Sequence, residues 1–212
     1  MADKFVCRLY FPSEKLSSQD VINTFFDYKF FTATHMKGIG RGFNSTKYKQ
    51  KVFLEGLGKK LVSNESRYTI VLEDEMINSS IGLYKRSNLI SMLSITIAEN
   101  SFAEFRTEIL RNIDLQFQKL RGIVCYANSM MDGLLQNSQN PDTYIRNNKS
   151  LDNIKLIPSP GIKDQQIIDI EQFPGHSHLI NDLWFGTGWK MWFGSHYFQY
   201  IPRDLLVSFN NC

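Results

Sequence analysis

Residues 101 to 120, SFAEFRTEILRNIDLQFQKL, space Phe102, Phe105, Ile109, Ile113, Phe117 and Leu120 at three and four positions, with Arg106, Glu108, Arg111 and Asp114 between them. At 3.6 residues per turn this spacing gathers the apolar side chains into one stripe and turns the charges elsewhere. Such a stripe has to be covered, and the cover it calls for is a sheet. Ser101 and Glu104 have the spacing of a capping box, which predicts the helix start. Gly122 predicts its end, and IVCYA supplies a strand immediately afterwards.

Strand-like runs precede this helix. KFVCRLYF, residues 4 to 11, is rich in aromatic and branched side chains and closes at Pro12. RYTIVLEDE, IGLYKR and SNLISMLSITIAE follow later, the last alternating through Leu89, Ser91, Leu93, Ile95 and Ile97. Ser17 and Asp20 predict a second capped helix, with Val21, Phe25, Tyr28 and Phe31 on one face. The expected fold is therefore α+β: an antiparallel or mixed β-sheet with helices packed mainly on one face. A chain of 212 residues suits one domain that buries roughly 70% of its unfolded surface. Two stretches read differently. Residues 34–60 form a basic Gly-rich loop region with one short strand near 50–54. Residues 128–165 form a polar loop region with one short helical piece, followed by a short strand in IIDIEQFPG.

Hydrophobic content of 42% and charged content of 21% are globular values. A net charge of +3 is too small to point to nucleic acid or an acidic membrane through global electrostatics. Cys7, Cys125 and Cys212 lack metal or CxxC spacing and suit a reducing compartment, with Cys7 and Cys125 as small buried hydrophobes. MADKFVCRLYF has no basic leader ahead of an apolar block, and no apolar run reaches the roughly 18 residues of a membrane span. A cytoplasmic protein with no membrane partner is the expectation.

Chemistry-bearing patterns are sparse. The glycines of GIGRG miss the dinucleotide fingerprint, yet Lys37, Arg41, Lys47, Lys49 and Lys51 surround them as phosphate-binding candidates. His176 and His178 are spaced to share one side of a strand, with His196 or Asp182 to complete a site; two rings are a weak motif, and no metal or cofactor is expected. His35 has no partner identifiable from sequence, and Glu73, Asp74 and Glu75 read as a solvated strand end. Asp132, Gln136 and Asn137, in YANSMMDGLLQN, are candidates for a pocket where a strand runs out into polar side chains. No nucleophile motif occurs, so the chain is not expected to be an enzyme.

The segment LWFGTGWKMWFGSHYFQY, residues 183 to 200, holds all three tryptophans. Read as one strand, it sets Trp184, Gly186, Gly188, Lys190 and Trp192 on one face and Phe185, Thr187, Trp189, Met191 and Phe193 on the other. That is too many rings for a core of this size, so Trp184, Trp189, Lys190, Trp192 and Tyr197 are expected to serve a partner surface, together with Asp132, Gln136 and Asn137.

The pairing of YANSMMDGLLQN with LWFGTGWKMWFGSHYFQYIPRDLL is similar to small stand-alone proteins of Gram-positive bacteria and their mobile elements, especially immunity proteins encoded beside polymorphic toxins. The resemblance covers residues 120 to 207. It implies a cytoplasmic α+β domain, without catalytic residues, that binds and neutralises a cognate toxin domain. Two other readings stand beside it. A nucleotide- or nucleic-acid-binding protein, including a phage anti-defence protein that sequesters a signalling nucleotide, would use the basic loop and a stacking ring. A hydrolase or transferase would be built around Asp132, His176 and His178.

Overall fold

The computed structural model describes residues 3–17, 19–39, 43–180, 183–186 and 188–204. Strand β1 (Lys4–Pro12) leads through a 3-10 turn into a short helix, α1 (Gln19–Thr24). Short strands β2 (His35–Lys37) and β3 (Thr46–Lys47) precede helix α2 (Gln50–Leu61). A meander of β4 (Tyr68–Asp74), β5 (Ser79–Lys85) and β6 (Ile90–Ala98) feeds the long helix α3 (Glu99–Lys119), which returns to β7 (Val124–Ser129). Helices α4 (Met130–Asn137) and α5 (Pro141–Arg146) come next. β8 (Leu156–Pro158) pairs with β9 (Gln166–Ile168), and β10 (His178–Ile180) with β11 (Leu183–Phe185), before β12 (Lys190–Phe193).

Eight strands make one sheet, in the order β12-β7-β1-β6-β5-β4-β2-β3, and each pairing is antiparallel. The fold is the expected α+β, in its antiparallel form. β1 lies between β6 and β7, so the chain leaves the sheet after β6, crosses β1 as α3 and re-enters on the far side of β1.

Register explains why α3 lies where it does. Phe5, Cys7 and Leu9 stand opposite Ile97, Ile95 and Leu93 of β6, and Cys7 and Leu9 opposite Ala127 and Cys125 of β7. Alternation puts all of these on one face. Phe102, Ile109 and Ile113 of α3, with Leu120 just past its end, meet that face, joined by Val21, Phe25 and Tyr28 and by Phe53 and Leu57 of α2. Full burial of each large apolar side chain contributes about 1.5–3 kcal/mol. Two polar groups of α3 are buried with partners: Nδ2 of Asn112 donates to the carbonyl of Asp27 at 2.8 Å, and Oε1 of Gln116 accepts from the Tyr28 hydroxyl at 3.1 Å.

Several local expectations are corrected. α3 begins at Glu99, whose amide donates to the carbonyl of Asp3, so the β1–β6 pairing carries the chain directly into the helix and Ser101 lies inside it. At the other end the left-handed residue is Arg121 (φ 52°), one before Gly122. The Gly122 amide reaches the Phe117 carbonyl and that of Arg121 the Gln118 carbonyl, the bond pair of a Schellman motif. The helix expected from Ser17 is only the six residues of α1, although Val21, Phe25 and Tyr28 still enter the core.

Helix α2 stands where a strand within loops was expected. Phe53 and Leu57, four apart, bury one face, and Gly56 is a packing position: a Cβ there would lie 2.4 Å from Cγ2 of Ile39. The polar region 128–165 holds two helices rather than one. Asp74 is buried, accepting from the amides of Thr32 and Met76, so the acidic strand end is not simply solvated. Among the described residues no helix is long and apolar enough to cross a membrane.

Candidate functional site

The face of β1, β7 and β12 opposite α3 carries the site. Arg8 stands opposite Tyr126, Val6 opposite Asn128, and Met191 opposite Tyr126, so Arg8, Tyr126, Asn128 and Met191 share that face. β7 runs straight into α4 because the Ser129 hydroxyl caps the helix, accepting from the amide of Asp132. Asp132 and Gly133 thus lie inside the helix. A Cβ at position 133 would come 2.5 Å from Nδ2 of Asn128, so glycine lets the helix approach the strand it has just left.

Side-chain amides at the end of α4 then fasten a distant loop. Nε2 of Gln136 donates to Oδ1 of Asp132 at 3.2 Å, while its Oε1 accepts from the Gly175 amide at 2.8 Å. Nδ2 of Asn137 donates to the Gly133 carbonyl at 2.9 Å, and its Oδ1 accepts from the Ser177 amide at 3.0 Å. The far wall is the β10–β11 hairpin, where the Trp184 carbonyl accepts from the Tyr197 hydroxyl at 2.6 Å.

These walls enclose a cavity of about 300 Å³. Arg8 and Asn128 at its floor, Asp132 and Gln136 on one side and Trp184 on the other give it mixed polar and aromatic character. The Arg8 guanidinium lies over the Tyr126 ring at 5.9 Å; among the described residues it has no hydrogen bond or carboxylate partner. Asn128 is 7% exposed, and its Oδ1 has no hydrogen-bond partner among the described residues. The cavity therefore offers a guanidinium and one indole to whatever enters it.

No protein-family model and no curated protein matches the chain. Among solved structures, the Pseudomonas aeruginosa T6SS protein PA0821 is similar over 65% of this chain and 49% of that chain, with a TM-score of 0.49 and 10% identity. The chain thus spans about half the length of that protein. A likeness of this size is silent on function.

The structure gathers four of the eight residues expected at a partner surface. Trp184, Asp132, Gln136 and Asn137 all line the cavity. The other four sit elsewhere, because the aromatic segment is two strands in two sheets. Lys190 and Trp192 stand opposite Ala127 and Cys125 of β7, on the α3 side. There the Trp192 indole NH donates to Asp114, and the Lys190 ammonium lies 4.9 Å over the Trp192 ring. Trp189 is 49% exposed at the edge of α3, against Phe5 and Phe102 with the Arg106 guanidinium 4.4 Å above its ring. Tyr197 is fully buried between Phe185 and Phe193, which corrects its assignment to a surface.

Of the basic candidates, Lys37 is paired with Glu73 at 2.6 Å. Lys47, Lys49 and Lys51 are exposed around the start of α2, and Arg41 lies outside the described residues. His176 and His178 do meet, with Glu171 as the third group; His196 is not part of that cluster, and Asp182 lies outside the described residues. His35 is 3.1 Å from a Glu75 carboxylate oxygen. Sequence reasoning missed Arg8, Asn128 and Glu171. An arginine inside the apolar strand KFVCRLYF was a readable signal for the first; nothing local marked the others.

Proposed function

We propose that this chain is a non-enzymatic, cytoplasmic binding protein of the immunity type, which neutralises a toxin domain by taking one of its segments into the cavity beside Trp184. What carries the reading is the meeting, in one preformed pocket, of a 39% exposed indole and a guanidinium that has no carboxylate partner among the described residues. A rigid ring flanked by hydrogen-bonded loops is the anatomy of a binding anchor, since an indole covers large area at little entropic cost. The Arg8 guanidinium calls for an acidic side chain from the partner, because a planar fork of donors matches a carboxylate. Rim fastening by Gln136 and Asn137 supports the same role: a wall held before the partner arrives loses less freedom on binding.

The test is partner binding by the intact chain and by two variants. Calorimetric titration against the toxin-like product of the neighbouring gene should give a tight one-to-one complex, which Trp184→Ala and Arg8→Gln each weaken roughly thirtyfold or more. Affinity unchanged from the parent chain in both variants overturns the reading. So does a chain that ignores that protein and instead binds nucleotides with strong salt dependence, lost when Lys47, Lys49 and Lys51 are neutralised together.

A further inference from the structure

Glu171, His176 and His178 form a second cluster, on the segment that supplies the cavity rim, and the proposed binding role does not use them. Glu171 belongs to the 3-10 turn Ile170–Gln172, His176 follows the Pro174-Gly175 turn and His178 opens β10. Their ligand-type atoms all lie within 4.8 Å of one another. Nε2 of His176 is 3.5 Å from Oε1 of Glu171, and Nε2 of His178 is 3.9 Å from Oε2 of the same carboxylate. The two imidazoles meet edge to face with centroids 4.4 Å apart.

Those separations discriminate between a proton and a metal ion as the bridging charge. A charge-assisted N–H···O bond closes to about 2.7–2.9 Å, and neither contact does. Donor atoms held about 2.1 Å from a shared tetrahedral ion stand about 3.4 Å apart, close to the 3.5 Å of the His176 contact, and a ring of atoms all within 4.8 Å of one another reaches that spacing by side-chain closure alone. The ligating nitrogen of His176 is also decided: its Nδ1 is sealed, without a hydrogen-bond partner among the described residues, which leaves Nε2 to face an incoming ion. Side-chain exposure rises from 12% at His176 through 43% at His178 to 67% at Glu171, so the cluster is anchored inside and open outside, with room for water as a further ligand.

We propose that Glu171, His176 and His178 bind one divalent ion of the zinc class through both Nε2 atoms and a Glu171 carboxylate oxygen. Two imidazoles with one carboxylate select a borderline transition ion over calcium or magnesium, which take all-oxygen sites. The ion clamps the turn between residues 170 and 178. Because the Gly175 and Ser177 amides in that turn hold Gln136 and Asn137, binding stiffens the cavity rim. The site stands whether or not the cavity takes a toxin segment.

Calorimetric titration of the full chain with Zn²⁺, and with Co²⁺ followed by visible absorption, tests it. One ion per chain is expected, with the intense visible bands of low-coordinate cobalt and a higher thermal midpoint. His176→Ala and His178→Ala should each lower affinity by more than the roughly 10–100-fold that loss of outer-shell partners alone produces. His35→Ala and His196→Ala should bind like the parent. Absence of saturable Zn²⁺ binding overturns the site, as does binding that survives removal of both His176 and His178. Should the histidine variants fail to fold, Glu171→Gln at its exposed position decides: weakened binding supports the site, and unchanged affinity overturns it.

Discussion

Tyr197 and Trp184 share a hydrogen bond yet belong to different categories of residue. The tyrosine is sealed and donates to the tryptophan's carbonyl, while the indole itself remains partly in solvent. Tyr197→Phe should therefore cost about 0.5–1.5 kcal/mol of folding free energy in urea denaturation through the lost hydrogen bond, and Trp184→Ala more, because over half of its large ring is covered in the folded state. A Trp184→Ala variant as stable as the parent would mean that the indole does not pack on the fold. Single residues also show why the site was half legible. Asp132, Gln136 and Asn137 were readable as polar side chains at a strand end, whereas Arg8 and Glu171 acquire meaning only from neighbours far along the chain.

Helix α3 is the element on which the fold depends most, since it covers β1 and β6 and joins two strands that flank β1. Ile109 and Ile113 are almost completely buried beneath it. Ile109→Ala should cost about 2–5 kcal/mol by chemical denaturation, through lost transfer energy and a residual cavity. Helix α4 carries a different burden. Gln136→Ala removes the acceptor of the Gly175 amide, so native-state hydrogen exchange at that amide should speed up while α3 and the central strands keep their protection. Equal protection at Gly175 in both proteins would show that the loop holds itself. Periodicity made α3 readable and α2 unreadable for one reason: α2 has only two buried positions and carries glycines that local rules count as breakers.

The whole molecule's response to alkali follows from acids buried in neutral form. Burial pushes the Cys7 thiol from 9.0 up to about 12, and the Tyr68 and Tyr197 hydroxyls from 10.0 up to about 12. Burial also raises Cys125 and Tyr28 well above their ordinary values. Each group is neutral in the folded chain at a pH where the unfolded chain has already released its proton. Their contribution is therefore complete below about pH 9 and is lost as pH climbs from there toward 12. The thermal midpoint should fall between about pH 9 and 11, and Cys7 and Cys125 should resist alkylation until the chain unfolds. Rapid labelling of either thiol at neutral pH would contradict their burial in the β1–β7 core.

The sequence alone determined the class of fold, the long helix and its buried stripe, the central strands, and the fact that the aromatic segment holds more rings than the core conceals. These depend on periodicity, which reads out local geometry within a few turns or residue pairs. Tertiary structure decided which rings are hidden, which polar side chains converge on one cavity, and which third group joins the two histidines. That division has a physical cause. Cavity and cluster are made by residues some forty to more than a hundred positions apart in the one case, and by the folding back of a turn in the other, so only the antiparallel pairing of β1, β7 and β12 and the loop bonds to α4 bring them within reach.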